Sequence, residues 1–272
     1  MEKERITSRN NPYIKELASL SERKNRVAAS KFFFEGRKLF QEALDNNVEL
    51  EAVLMTDNFF NKYKENNFPF RHISVTEEVY SKISAEKSPE GIFCVAKTLD
   101  KLHNLNIIYS SDLNLSDSKQ RIIILDGIRD PGNVGTILRT AAAFGCDTVI
   151  LSSDCAEVYN PKTVRAGMGA VFRQKTVTVT DLAGTVRELK EAGKKVYCAT
   201  LDETSVELFD LPKKENRCFV IGNEGNGIRP EIIKASSGSV IIPMQPGAES
   251  LNAAAAATVL LWEQYKEKKT TV

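Results

Sequence analysis

The apolar positions of this 272-residue chain fall into two rhythms. From Arg121 onward, short runs of Ile, Val and Leu alternate with longer amphipathic stretches. RIIILDG, DTVILSS, KTVTVTD, KKVYCATL, RCFVIGN and SVIIPM read as strands, because β-branched residues suit a pleated surface and Gly, Asp or Ser bounds each run. Between them, residues 133–145 read as a helix that ends at Gly145. Residues 161–172 read as a helix with Pro161 at its first position. LAGTVRELKEAG is a third helix, IRPEIIKASS supplies one or two turns, and a last helix is expected over 252–266. Strand runs with little internal alternation are buried on both faces. This region is therefore expected to be α/β, a mostly parallel sheet with helices on both faces.

The first hundred residues have a different rhythm. Residues 5–29 read as a helical arm of mixed charge. FFFEGRKLFQEAL starts as a strand and ends as a helix, VELEAVLMTD suits a strand, and FRHISVTEEVYSKIS gives a strand followed by a helix capped at Thr76. GIFCVAK is a short buried strand. This predicts a small α/β domain over 1–97. Residues 98–120, rich in Asn, Ser and Asp, read as a linker with a short insertion around Leu105–Tyr109. The second domain spans 121–272.

Composition narrows the class. With 42% hydrophobic and 27% charged residues, and no apolar run of eighteen, a folded protein without a membrane span is expected. The charged start MEKERITSRNNPYIKEL lacks the apolar centre of a secretory signal, so the cytoplasm is the expected compartment. Five cysteines without CxxC spacing argue against a disulfide framework or a zinc site, and no metal is expected. Both histidines, His72 and His103, precede residue 121. A His-based site in the second domain would have to borrow from the first. Net charge is only +1, yet residues 1–40 hold ten Lys or Arg against five Glu. Such an arm suits phosphate contacts, and equally an ordinary solvated helix face.

In parallel sheets ligands bind beyond the carboxyl ends of the strands. The segments there are GIRDPGNVG after IIILD, TLDET after VYCA, GNEGNG after CFVI, and QPGAESLN after VIIPM. GNEGNG has glycines at its first, fourth and sixth positions, which is not the GxGxxG dinucleotide spacing, and GMGAVF lacks the third glycine. No GxxxxGK[ST] phosphate loop occurs. On spacing alone GNEGNG is a tight turn that needs positive φ. Its neighbours make it more interesting. These loops lack the His, Lys or Asp pairs of hydrolases and dehydrogenases, and offer backbone groups to a neutral or zwitterionic ligand.

DPGNVGTILRTAAAFG, VIGNEGNGI and IIPMQPGAESLNAAAAATVLL, in that order, resemble the three motifs of the SpoU/TrmH family of RNA 2′-O-ribose methyltransferases. This is the SPOUT class, whose α/β domain carries a deep trefoil knot. The resemblance runs from Arg121 to about Lys266. FFFEGRKLFQEAL and SPEGIFCVAK resemble the substrate-binding domain of the ribosomal-RNA branch. The resemblance implies S-adenosylmethionine as cofactor, RNA (ribosomal rather than transfer RNA) as substrate, and a homodimer whose sites are completed across the interface. By position it nominates Asn133, Arg139, Glu224, Ser250 and Asn252 for catalysis. For the cofactor it nominates Thr200, Leu201, Gly222, Asn223, Glu224 and Gly225, with Ile242, Met244, Leu251 and Asn252.

Methyl transfer from a sulfonium to a hydroxyl is an in-line displacement, in which alignment alone can supply about 7–11 kcal/mol. The resemblance nominates Arg139 as the base. A guanidinium hardly ever gives up its proton, so Arg139 is expected to bind the ribose-phosphate region and stabilise the developing alkoxide, acting as a base only with help from an RNA phosphate. Asn133 orients Arg139 or substrate, or caps a helix. Glu224 fixes a loop or the arginine, and Ser250 or Asn252 caps the helix after it. A non-catalytic RNA-binding module, a tRNA 2′-O-methyltransferase and a base-nitrogen methyltransferase are the competing readings. The run Ala253–Ala257 suits a helix that passes close to neighbouring backbone. Helical periodicity allows only part of it to face inward, so Ala254 and Ala255 should differ in tolerance to Phe.

Overall fold

The computed structural model describes residues 4–63, 69–99, 103–107, 120–202, 205–212, 216–247 and 250–269. The first sheet is built from β1 (Arg5–Ile6), β2 (Lys31–Glu35), β3 (Leu50–Thr56), β4 (Arg71–Val75) and β5 (Ile92–Lys97), in the order β1-β4-β3-β5-β2. It is mixed: β4 runs parallel to β1 and β3, while β5 is antiparallel to β2 and β3. Around it pack α1 (Pro12–Ser19), α2 (Arg23–Ala29), α3 (Arg37–Asp45), α4 (Asp57–Tyr63) and α5 (Glu77–Ile83). Thr76 caps α5, its hydroxyl accepting from the Val79 N–H at 3.3 Å.

The helical arm expected over 5–29 is broken. Arg5 and Ile6 add a parallel strand to β4, and Asn11 and Pro12 then start a new helix, the Asn11 side chain accepting from the Tyr13 N–H at 2.9 Å. Arg26, counted with the basic arm, is buried. Arg5 pairs with Asp57, and Lys31 with Glu51. Arg9, Lys15, Arg23, Lys24, Arg37 and Lys38 are exposed.

The second sheet has eight strands in the order β11-β13-β10-β12-β7-β8-β9-β6, and every described pairing in it is parallel. Its strands are β6 (His103–Ile107), β7 (Ile122–Asp126), β8 (Thr148–Ser152), β9 (Thr176–Val179), β10 (Lys195–Ala199), β11 (Val206–Glu207), β12 (Arg217–Gly222) and β13 (Gly238–Ile241). Between them run α6 (Pro131–Ala143), α7 (Pro161–Gly167), α8 (Leu182–Glu191) and α9 (Pro230–Ala235), and α10 (Ala253–Lys269) follows β13. β6 falls where a linker was expected. Its HNLNI sequence has too few apolar residues to stand out, and it is recruited as an edge strand beside β9. Tyr109, at the end of the expected insertion, lies outside the described residues.

Alternate strand residues separate onto two faces. Ile122, Ile124 and Val220 face α8 and α9, while Ile123, Leu125 and Phe219 face α6, α7 and α10. The second of these cores continues without a break into the first domain, taking in Phe32, Phe34, Met55 and Ile92. The helix expected over 161–172 stops at Gly167. Met168 and Gly169 adopt positive φ, and a 3-10 turn over Ala170–Phe172 redirects the chain toward the first sheet. All five cysteines are buried as free thiols, three in strands and two, Cys146 and Cys155, in loops.

Candidate active site

The loops that leave β7, β10, β12 and β13 gather at one edge of the sheet, because parallel strands all end there. Those after β10, β12 and β13 enclose a cavity of about 470 Å³. Its apolar lining comes from Ile221, Ile228, Val240, Ile242, Leu251 and Met244. Thr200 and Leu201 form another part of the wall, fixed by the Thr200 N–H donating to the Val240 carbonyl at 3.1 Å. Ala253 and Ala256 of α10 close it. Glu224 is the one charged group among the described lining residues.

The turn after β12 is held to an unusual degree. A methyl group on Gly222 would run into the backbone of Gly227, so the chain can fold back here only with glycine. Gly227 has φ +67°, and Asn223 and Gly227 exchange both backbone hydrogen bonds, at 3.1 and 2.8 Å. Two further contacts fasten the turn to the end of β7. Asn223 Nδ2 donates to the Gly127 carbonyl at 2.9 Å. At the other foot, the buried Asp126 carboxylate accepts from the Arg229 N–H at 2.8 Å and from its Nε at 2.7 Å. Asp154 stands beside this pair. Burial would raise its pKa, but the Ser152 hydroxyl bond and the Arg229 charge outweigh that and lower it.

Three residues nominated for catalysis form one chain of hydrogen bonds. Asn252 Oδ1 accepts from the N–H groups of Ala254 (2.9 Å) and Ala255 (3.3 Å), so it is Asn252 that caps α10. Its oxygen committed, its Nδ2 donates to Asn133 Oδ1 at 3.1 Å. Asn133 Nδ2 in turn donates to Glu224 Oε1. The direction of every donor is thereby set from the helix end to the carboxylate. Asn133 is not the cap of α6. Asp130 is, its carboxylate accepting from the Asn133 N–H at 2.8 Å, because Pro131 and Gly132 start the helix earlier than the apolar pattern suggested.

The nominated residues divide by position. Thr200, Leu201, Gly222, Asn223 and Glu224 line the cavity, as do Ile242, Met244, Ser250 and Leu251. Ile242 and Met244 lie just past β13 rather than within it. Gly225 is not in the lining; its N–H donates to Asn223 Oδ1 at 2.9 Å within the turn. Asn252 and Asn133 stand behind the wall and bear on Glu224. Arg139 sits apart. It is exposed on α6, about 9 Å further along the axis than Asn133.

Sequence reasoning missed Ile221, Ile228 and Val240, which look like ordinary core residues, Asn226 in the turn and Ile233 on α9. It also missed Asp126 and Arg229. The signal for Asp126 was present, an acid closing a run of isoleucines in a buried strand, where a carboxylate needs a partner.

Residues 120–262 match the SpoU rRNA Methylase family, and residues 11–94 match the MRM3-like substrate binding domain. The chain is 28% identical over 263 residues to the 23S rRNA (guanosine(2553)-2′-O)-methyltransferase RlmP of Bacillus subtilis, covering 94% of this chain and 97% of that protein. It is 33% identical over 181 residues to the 23S rRNA (guanosine-2′-O-)-methyltransferase RlmB of Bordetella pertussis, covering 66% and 71%. Among solved structures, the AdoMet-bound rRNA methyltransferase from Sinorhizobium meliloti superposes with a TM-score of 0.79 at 27% identity, covering 98% of each chain.

Proposed function

Because the chain belongs to the SpoU rRNA Methylase family, we propose that it transfers a methyl group from S-adenosylmethionine to the 2′-hydroxyl of a ribose in ribosomal RNA. The observation that carries this reading is the convergence of three separate sequence motifs on one edge of a parallel sheet, with Asn133, Glu224 and Asn252 hydrogen-bonded in series. The cavity suits the cofactor in size and charge. Its volume of about 470 Å³ lies within the roughly 300–1,000 Å³ typical of small-molecule sites. The one charged group among its described lining residues, Glu224, is an acid, which suits a ligand carrying a sulfonium and an ammonium.

The Ile221, Val240, Ile242 and Leu251 side chains would hold the flat apolar part of the cofactor, and the backbone of 222–227 and 200–201 its polar groups. Bound there, S-adenosylmethionine supplies an activated methyl, open to in-line attack by an oxygen. The chain's own work is alignment and charge. Asn133 and Asn252 hold Glu224 as an acceptor facing the cavity. Arg139 binds the ribose-phosphate region and its guanidinium stabilises the oxygen as it becomes anionic. Proton transfer to an RNA phosphate completes the step.

The first domain binds the RNA, with Arg23, Lys24, Arg37 and Lys38 among its phosphate contacts. The protein works as a homodimer in the cytoplasm. The exposure of Trp262 on α10 beside Phe144 and Tyr265, 5.5 and 5.8 Å between ring centres, supports an interface there. After β13, α10 returns to pack on α6 and β12, a path that supports the knotted chain end the class implies.

Replacing Arg139 by Ala should leave cofactor affinity nearly unchanged by calorimetry and lower methyl incorporation by about 10²–10³-fold. Full activity in this variant would overturn the assignment.

A further inference from the structure

The two sheets share one hydrophobic core, and the groups along their seam resist separation. Phe32 and Phe34 of β2 meet Tyr159 and Phe172 from the second domain, with ring centres 4.5 and 4.9 Å apart. The Tyr159 hydroxyl accepts from the Leu99 N–H at 2.5 Å, tying down the segment that leaves β5. Arg26, 3% exposed, is paired through Nε and a terminal nitrogen with the buried Glu157 carboxylate. Its other terminal nitrogen donates to the carbonyls of Leu20 and Ser21, each at 2.8 Å. Two more exposed pairs flank it, Arg173–Glu42 at 2.7 Å and Arg165–Glu86 at 2.5 Å. Removing one partner of a buried pair leaves the other charge uncompensated, so this geometry selects one relative placement of the domains.

All the second-domain residues in this seam lie on one continuous segment, 157–173, which includes α7. That helix is pressed against α6. A methyl group on Gly135 would collide with the Thr163 carbonyl and come 2.7 Å from the Ala166 Cβ. Gly135 stands between Asn133 and Arg139 on α6. The first domain therefore bears on the helix that carries Arg139 through α7, which packs against both β2 and α6.

We propose that this seam determines specificity. It holds the RNA-binding domain at one fixed offset from the cofactor cavity, so the nucleotide methylated is chosen by its distance and orientation from that domain's grip on the RNA. The proposal rests on the methyltransferase reading above. It extends that reading by giving Arg26, Glu157, Tyr159 and Phe172 a part in substrate choice although none lines the cavity.

The test uses the full-length protein, protein-free ribosomal RNA and mapping of 2′-O-methyl groups at nucleotide resolution. Glu42→Lys with Glu86→Lys places like charges across the exposed parts of the seam, where folding is least at risk. Glu157→Gln weakens the buried pair. Amide exchange in α2 and α7 reports whether the seam has opened. The expected result is faster exchange there, unchanged cofactor affinity, a loss of about 10²-fold in kcat/KM at the wild-type nucleotide, and new methylation at flanking riboses. Faster exchange with the same single nucleotide at the same rate would overturn the proposal, as would unchanged exchange in all variants. A second arm joins Glu42→Cys to Arg173→Cys with a short bismaleimide. Wild-type site choice and rate should persist; inactivation on bridging would mean that the domains must move, and would also overturn it. A wild-type protein that methylates no RNA would instead remove the underlying reading, and this proposal with it.

Discussion

The two sheets differ in strand direction, and the difference decides where each can work. In the mixed first sheet, connections leave from both edges, and its acidic side chains fasten the domain's own helices and loops. Glu35 accepts from the hydroxyls of Tyr80 (3.0 Å) and Ser84 (2.6 Å) and from the Ala85 N–H (2.7 Å), although burial still raises its pKa. Glu90 accepts from the first N–H of α3 at 2.7 Å. The domain presents charged helix surfaces. In the parallel second sheet every connection that follows a strand starts from the same edge. Asn133, Glu224, Ser250 and Asn252, scattered over more than a hundred positions, become neighbours of one cavity. A parallel sheet concentrates chemistry, and a mixed one distributes contacts.

This contrast can be broken most forcefully on the RNA side. Replacing Arg23, Lys24, Arg37 and Lys38 by Ala should weaken RNA binding and reduce the magnitude of its log–log salt slope by up to about 3, since each phosphate contact contributes about 0.7–0.9. Filter binding across a salt series measures this, and an unchanged slope would return these residues to an ordinary solvated face. Cofactor affinity should not move. The converse comes from Asp126→Ala, which leaves the Arg229 N–H and guanidinium without their acceptor and loosens the turn carrying Glu224. A loss of about 2 kcal/mol in stability is expected, with cofactor affinity falling about tenfold by calorimetry. RNA binding should hold, and an equal loss of both affinities would show that the two regions are not separable in this way. The smallest effect sharpens the picture within the second domain. Ala254 is 5% exposed and Ala255 is open to solvent. Ala254→Phe should cost about 1–3 kcal/mol by overpacking, and Ala255→Phe no more than about 0.5 kcal/mol, as read from thermal or urea melts.

Much of the second sheet was legible because β-branched runs such as RIIILDG and DTVILSS have few other places to go. Helix starts were less so. Apolar periodicity placed the first helix of this domain at Asn133, whereas Pro131 and the Asp130 cap start it earlier. β6 was illegible because HNLNI gains strand character only from β9 beside it. The helical arm failed for the same reason, since a two-residue strand depends on its partner. In the site, the motif residues were found by resemblance, but their division of labour was not. Asn252 as a cap with its amide turned to Asn133 is a matter of which atoms face which, and spacing carries no such information. Ile221 and Val240 escaped because an apolar residue at a strand end looks the same whether it meets a ligand or a helix.

The wall that Ala253 and Ala256 add to the cavity has a consequence for the timing of synthesis. A ribosome makes the chain from its amino end, so the first sheet emerges while α10 is still unmade. Until Asn252 and the alanines after it are outside the ribosome, the cavity lacks one side and Glu224 lacks the amide chain that orients it. A nascent chain that stops short of α10 therefore lacks a complete cavity. The cavity is closed by the first turn of α10, which makes synthesis of that helix a condition for its assembly.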